Sequence, residues 1–141
     1  RAAISEAEAI VFCPSNPIVS IGPILAVPGM REALRDARAP TVAVSPIVAG
    51  RALRGPADRM LSGLGHEVSP YGVAHLYRDL LRGIVVDHAD GAAAERIAAL
   101  GLGVLVTATV MGDADDRRRL AAEVLRFARG GPRAGIVEVL P

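Results

Sequence analysis

Lysine is absent from the 141 residues, so apart from three histidines every basic side chain is an arginine. The plain reading is a GC-rich genome. An arginine fork gripping phosphate can account for only one or two of them. Aromatic residues make up 3% of the chain, so the core has to be built from Ala, Val, Leu and Ile. There is a single cysteine, Cys13. It excludes an internal disulfide and fits a reducing cytoplasm. Lying in an apolar run with no cation beside it in sequence, it reads as a buried, inert thiol. Charge of one sign is also missing. A formal net charge of +1 gives no argument for nucleic acid or an anionic membrane as partner. No apolar run reaches the roughly 20 residues that a membrane-spanning helix needs. No signal peptide is visible, and a chain opening on Arg1 rather than Met is expected to have its true start upstream.

What is present reads as a globular domain, with 51% hydrophobic and 22% charged residues. Short apolar runs alternate with helical patterns. Ala9 to Cys13, Thr41 to Val44, Gly83 to Asp87 and Leu102 to Val106 are continuous apolar stretches, as expected for strands covered on both faces. Helices are expected over Gly29 to Arg38, Pro56 to Leu64, Gly72 to Leu81, Ala92 to Leu100 and Asp113 to Arg129. The last opens with acids and closes with Arg126 and Arg129, which suits the helix dipole. Strands alternating with helices predict βαβ units, a parallel sheet and helices on both faces. Four strands make a thin sheet, and further strands are expected from an N-terminal part outside this chain. Gly130-Gly131-Pro132 is the clearest linker signal. The expected division is therefore 1–129 as the C-terminal part of one domain and 130–141 as a linker or tail, although Gly135 to Leu140 alternates like a strand.

Ligands in open α/β sheets bind outside the carboxyl ends of the strands. The loops to inspect are those after Cys13, Val44, Asp87 and Val106. In the first, Pro14 and Pro17 bracket Asn16, and Ser15, Asn16 and Ser20 offer polar groups for a phosphate or ribose. They can equally satisfy their own backbone. The second, Ser45 to Asp58, holds Ser45, Gly50, Arg51 and Arg54 ahead of a Gly-Pro that opens a helix, an arrangement suited to an anion or to a solvated turn. In the third, Asp87, His88 and Asp90 read as helix caps in preference to metal ligands. Asp113, Asp115 and Asp116 read as an acidic first turn, and His66 and His75 as structural or solvent-facing.

The string from Phe12 to Arg31, FCPSNPIVSIGPILAVPGMR, is far more specific than these short patterns. It resembles the central signature of the 2-phospho-L-lactate transferases, which include members using an enolpyruvyl donor. Val42 to Arg51, Gly55 to Asp58 and Gly72 to Ala74 resemble the same family, and the likeness runs from about Ala9 to about Arg129. The resemblance implies a Rossmann-like, three-layer α/β fold. It implies a guanosine diphosphate donor carrying lactyl or enolpyruvyl, and the deazaflavin Fo as acceptor. GMP would be released with magnesium assisting, in the biosynthesis of coenzyme F-420. Donor-binding residues are then expected at Ser15, Asn16, Ser20, Ser45, Gly50 and Arg51. Where the family commonly carries Gly-Gly-Lys, this sequence has Ala49-Gly50-Arg51, a fork in place of a point charge. The family's Gly-rich nucleotide loop and its metal-binding acids have no counterpart here. The chain alone is therefore expected to be inactive, with magnesium ligands in the absent N-terminal part and a homodimer at full length.

Two other readings stand beside this one. Relatives of the gluconeogenesis factor type bind UDP-sugars without catalysis, but their equivalent loop is of Gly-Pro-Gly-Ser type, unlike Pro14-Ser15-Asn16-Pro17. An inert fragment is the third. Ile136 to Pro141 also resembles, over a few residues, the opening of the F-420 γ-glutamyl ligases, so a fused ligase or a plain tail can follow.

Overall fold

The computed structural model describes residues 2–141. Helix α1 (Ala2–Ser5) leads into strand β1 (Ile10–Phe12). A π-helical turn (Pro17–Ile21) then runs into α2 (Gly22–Leu25), and α3 (Met30–Arg35) follows. Strand β2 (Thr41–Val44) precedes a small hairpin of β3 (Ile47–Val48) and β4 (Arg51–Ala52), then α4 (Ala57–Gly63) and α5 (Pro70–Tyr77). After β5 (Gly83–Asp87) come a 3-10 helix (His88–Ala93) and α6 (Ala94–Ala98). Strand β6 (Gly103–Thr107), the long α7 (Ala114–Arg129) and β7 (Val137–Val139) complete the chain.

Five strands form one parallel sheet in the order β1-β2-β5-β6-β7. The expected three-layer α/β fold is therefore what forms, and Val137–Val139 adds a strand at its edge. Alternation along each strand sorts the core into two layers. Ala43, Ile84, Val86, Val104 and Val106 face Leu34, Leu61, Val73 and Ile97 of α3 to α6. Val42, Val44, Val85 and Leu105 face Leu120, Val124 and Ala128 of α7. The small aliphatic side chains of β2, β5 and β6 are buried along the whole length of these strands, which is why the runs are continuous rather than alternating in sequence.

The strand order advances in one direction, yet the first three crossovers pack on one face and α7 on the other. The crossover β6–α7–β7 therefore has the opposite hand to the earlier three. Its return path needs room at the amino ends of the sheet, and two glycines supply it. Gly83 and Gly103 pair in register. A Cβ on either would lie 2.9 Å from Pro132 Cβ, so only glycine at these positions lets the chain pass beneath β5 and β6.

Several boundaries shift for local reasons. Strand β1 stops at Phe12, which leaves Cys13 exposed beyond the strand end, so the expected buried thiol is not found. Helix α5 begins at Pro70, ahead of the expected Gly72, because the Ser69 hydroxyl accepts the Gly72 N–H at 3.1 Å and caps the helix. The π-helical turn, α2 and the β3–β4 hairpin lie in stretches read from the sequence as loops. Helix α7 follows its expected span, with Asp113 Oδ1 accepting from Asp115 N and Asp116 N.

Candidate functional site

The carboxyl ends of β1, β2 and β6 meet around one cleft of about 480 Å³. Asn16, Ser45, Arg54, Thr109, Met111 and Arg117 line it, with proline and small or apolar residues between them. A wider concavity of about 560 Å³ lies between α1 and α3, where Glu32 and Arg38 contribute to its wall. It sits where the chain enters β1 and β2, at the amino ends, the opposite side from where open parallel sheets bind ligands.

The first wall is the loop after β1. Asn16 Oδ1 accepts from Ile18 N at 2.8 Å and Val19 N at 3.2 Å, and Pro17 occupies the first position of the turn that follows. The Asn16 carboxamide nitrogen lies 3.4 Å from Met60 Sδ on α4, which ties the loop to the helix behind it. The side chain is thus an N-cap held against the cleft. Ser15 is half-buried before it, and Ser20 is exposed on the π-helical turn. Neither lines the cleft.

The second wall follows β2. Ser45 is buried, and its hydroxyl donates to Ile47 O at 2.9 Å and accepts from Ile47 N at 3.2 Å, a local turn that starts the hairpin. At the hairpin tip Ala49 and Gly50 have φ of 49° and 74°, both left-handed as a tight two-residue turn of type I′ demands. Gly50 therefore serves the turn, and an L side chain there would be strained. Asp90 Oδ2 accepts the Ala49 N–H at 3.0 Å and holds the tip toward β5. Arg51 is exposed on β4 opposite Val48, away from the cleft lining. Three residues further on, Arg54 reaches it.

The third wall comes from β5 and β6. Asp87, buried at the end of β5, caps the 3-10 helix through Ala89 N at 3.0 Å, as the sequence suggested. Its other oxygen accepts from Thr109 N at 2.8 Å and Thr109 Oγ1 at 3.1 Å. Burial pushes this carboxyl up, but the three hydrogen bonds, with a smaller contribution from the charge of His88, outweigh it and hold Asp87 below the ordinary carboxylate range. The carboxylate is thereby consumed in joining two loops. Beyond it, Thr107 Oγ1 donates to Glu123 at 2.7 Å, while Arg119 donates to Glu123 at 3.0 Å and to Ala108 O at 2.8 Å. The loop leading into α7 is anchored on both sides, and this fixes where Arg117 starts from.

Of the six residues singled out from sequence, the structure brings Asn16 and Ser45 to the cleft and leaves Ser15, Ser20, Gly50 and Arg51 on the loops around it. Sequence reasoning noted Arg54 in the loop after β2 without placing it among the expected donor-binding residues, and passed over Thr109 and Arg117. Among the described residues no group of three or more His, Cys, Asp or Glu is placed to hold a metal ion, and the cleft lining contains no carboxylate. No helix among them is long and apolar enough to cross a membrane.

Comparison with known proteins adds an independent line. A family profile described as 2-phospho-L-lactate transferase CofD matches residues 1–126. The phosphoenolpyruvate transferase of Streptomyces coelicolor is 46% identical over 127 residues, covering 89% of this chain and 40% of that protein. The 2-phospho-L-lactate transferase of Methanocaldococcus jannaschii is 39% identical over 125 residues, covering 89% of this chain and 39% of that protein. The phosphoenolpyruvate transferase of Mycolicibacterium smegmatis is 41% identical over 110 residues, with 74% and 34% covered. The chain thus spans about two fifths or less of the length of these relatives.

Proposed function

The chain belongs to the 2-phospho-L-lactate transferase family, and on that footing we propose that it supplies the donor-binding part of a phosphotransferase of coenzyme F-420 biosynthesis. The donor is a guanosine diphosphate carrying lactyl or enolpyruvyl on its outer phosphate, and the acceptor is the deazaflavin Fo. A ribityl hydroxyl of Fo attacks the outer phosphorus. The new P–O bond forms as the bridging P–O bond breaks, the hydroxyl proton passes to solvent, and GMP departs. Such transfers depend mainly on positioning and on neutralising phosphate charge. The observation that carries this reading is the acid-free cleft at the carboxyl ends of a parallel sheet, bearing Arg54 and Arg117, inside the span that the family profile matches.

In this reading Asn16 and Ser45 shape the floor of the donor site, while Ser15, Ser20, Gly50 and Arg51 belong to the loops that carry its walls. Among the described residues the cleft lining offers no carboxylate to hold magnesium. Ligands for magnesium would come from outside these 141 residues. A homodimer of the full-length protein is part of the same proposal.

The test is to incubate the full-length protein with Fo and each guanosine donor, and to measure GMP release together with the deazaflavin product. Stoichiometric formation of both supports the proposal, and the preferred donor tells lactyl from enolpyruvyl. Tight binding of a uridine nucleotide without transfer would replace it with the UDP-sugar-binding reading.

A further inference from the structure

We propose that Arg54 and Arg117 are the two arms of a clamp for the diphosphate of the donor, an assignment that rests on the reading of this cleft as the donor site. The two reach one cleft from separate segments, Arg54 from the stretch after the β3–β4 hairpin and Arg117 from the first turn of α7. The chain carries 15 acidic residues, yet none lines this cleft. Two like charges are therefore brought to one concavity with no carboxylate of the described residues in its lining to offset them, and an anionic ligand is the partner that this arrangement suits.

Helix arithmetic explains why Arg117 is available. Arg117, Arg118 and Arg119 are consecutive, but carboxylates on a helix pair with residues three or four positions away. Arg118 takes Asp115, and Arg119 takes Asp116 and Glu123. The corresponding neighbours of Arg117 are Ala114, Leu120, Ala121 and Asp113. Asp113 is already committed, its Oδ1 accepting from two backbone N–H groups as the helix cap. Arg117 accordingly takes no part in the ion pairs of the described residues, nor does Arg54.

The other polar groups of the cleft leave the charge recognition to these two. Ser45 is turned onto Ile47, Thr109 is bound to Asp87, and the Asn16 carbonyl is spent on its own turn. A guanidinium presents five N–H donors in a planar fork that matches two phosphate oxygens at once. Two forks on two walls suit a diphosphate, with one phosphate gripped by each arm. The clamp also has a mechanistic consequence: charge that builds on the leaving phosphate is met by a cation as the bridging bond breaks.

The experiment titrates inorganic pyrophosphate into the full-length protein by calorimetry, at two salt concentrations, for the wild type and for Arg54→Ala, Arg117→Ala, Arg54→Lys and Arg82→Ala. Arg82 is exposed at the start of β5, at the opposite end of the sheet, and controls for net charge. Each cleft alanine variant is expected to weaken pyrophosphate by about tenfold or more, the usual loss of a charged hydrogen-bonding partner. Arg54→Lys should recover part of the loss, and Arg82→Ala should match the wild type. Pyrophosphate affinity unchanged in both cleft variants, or lowered equally by Arg82→Ala, overturns the clamp. Turnover with Fo and the guanosine donor is followed in parallel to separate the two proposals. Wild-type turnover and KM in both cleft variants would leave the transferase reading intact and remove the clamp. The clamp pattern with pyrophosphate, in a wild-type protein that transfers nothing to Fo, would keep the clamp and remove the transferase reading.

Discussion

Asp87→Asn is the most informative single substitution for the architecture of the cleft. The carboxylate serves three donors: Ala89 N at 3.0 Å on one oxygen, and Thr109 N at 2.8 Å and Thr109 Oγ1 at 3.1 Å on the other. An asparagine has one acceptor oxygen. Turned toward Thr109, it sets its NH₂ against Ala89 N and removes the cap of the 3-10 helix, worth about 1 kcal/mol. The two bonds to Thr109 survive but lose their charged acceptor, which costs about 1 kcal/mol more between them. Relief of the carboxylate's desolvation works in the other direction. The hydrogen bonds outweigh it, because Asp87 is held below the ordinary carboxylate range despite its burial. The expected net loss is about 2 kcal/mol at pH 7. A depressed folded-state pKa contributes stability above the unfolded-state value, and that stability disappears as pH falls through the folded value. The deficit of the variant should therefore be full at neutral pH and shrink below about pH 4. Urea unfolding at 25 °C across this range, followed by circular dichroism, reads it directly. A deficit that is absent at pH 7, or that stays constant down to acid pH, would refute the claim that the charged carboxylate ties the β5 and β6 loops together.

Two further predictions concern local geometry. In α5 a Cβ at Gly72 would lie 1.9 Å from the Glu67 carbonyl oxygen, so Gly72→Ala must displace backbone. The expected cost is about 1–3 kcal/mol in chemical denaturation, more than the helix-propensity gain of about 1 kcal/mol. Gly63→Ala in α4 meets nothing within 4 Å and should be neutral or stabilising by up to about 1 kcal/mol, so the two substitutions should differ in sign. Asn16→Ala should lower stability by about 1 kcal/mol through loss of the cap on the π-helical turn. Asn16→Asp, which keeps the acceptor, should hold the thermal midpoint. Equal losses in both would show that Asn16 is not acting through that cap.

The layers of the fold were legible because burial on both faces forces an unmistakable pattern. β2, β5 and β6 are continuous small-aliphatic runs, and each is buried along its whole length. The stretches that escaped detection are short or unusual. Two-residue strands such as β3 and β4 carry no periodicity, and their tip places Ala49 rather than Asn or Asp ahead of Gly50, which weakens the hairpin signal. The π-helical turn from Pro17 to Ile21 depends on Asn16 accepting two backbone N–H groups, a capping role that a Pro-rich segment disguises as a loop. Cys13 was misjudged by a single position, because the strand ends at Phe12 and the pattern does not say on which side of that boundary the thiol falls.

The same limits explain which arginines the sequence pointed to. Arg51 drew notice for its place in a motif, but the hairpin sets it on an exposed strand opposite Val48, and Arg54, beyond the hairpin, is the one that meets the cleft. Arg117 lay hidden in a run of three arginines that looks like a solvated helix face. The information to separate them was nevertheless present. Once Asp113 is recognised as the cap of α7, i±3 and i±4 spacing assigns carboxylates to Arg118 and Arg119 and leaves Arg117 without one. The fourth loop, after β6, was also marked by the rule that ligands gather at the carboxyl ends of parallel strands, and it is this loop that delivers Thr109 and Arg117. Combining the two arguments finds a cleft-lining arginine from sequence alone. The second, Arg54, follows from placing it after a turn rather than on it. What sequence cannot supply is the convergence itself, since β2 and β6 meet at one cleft only because β5 lies between them and Asp87 binds its own strand end to Thr109.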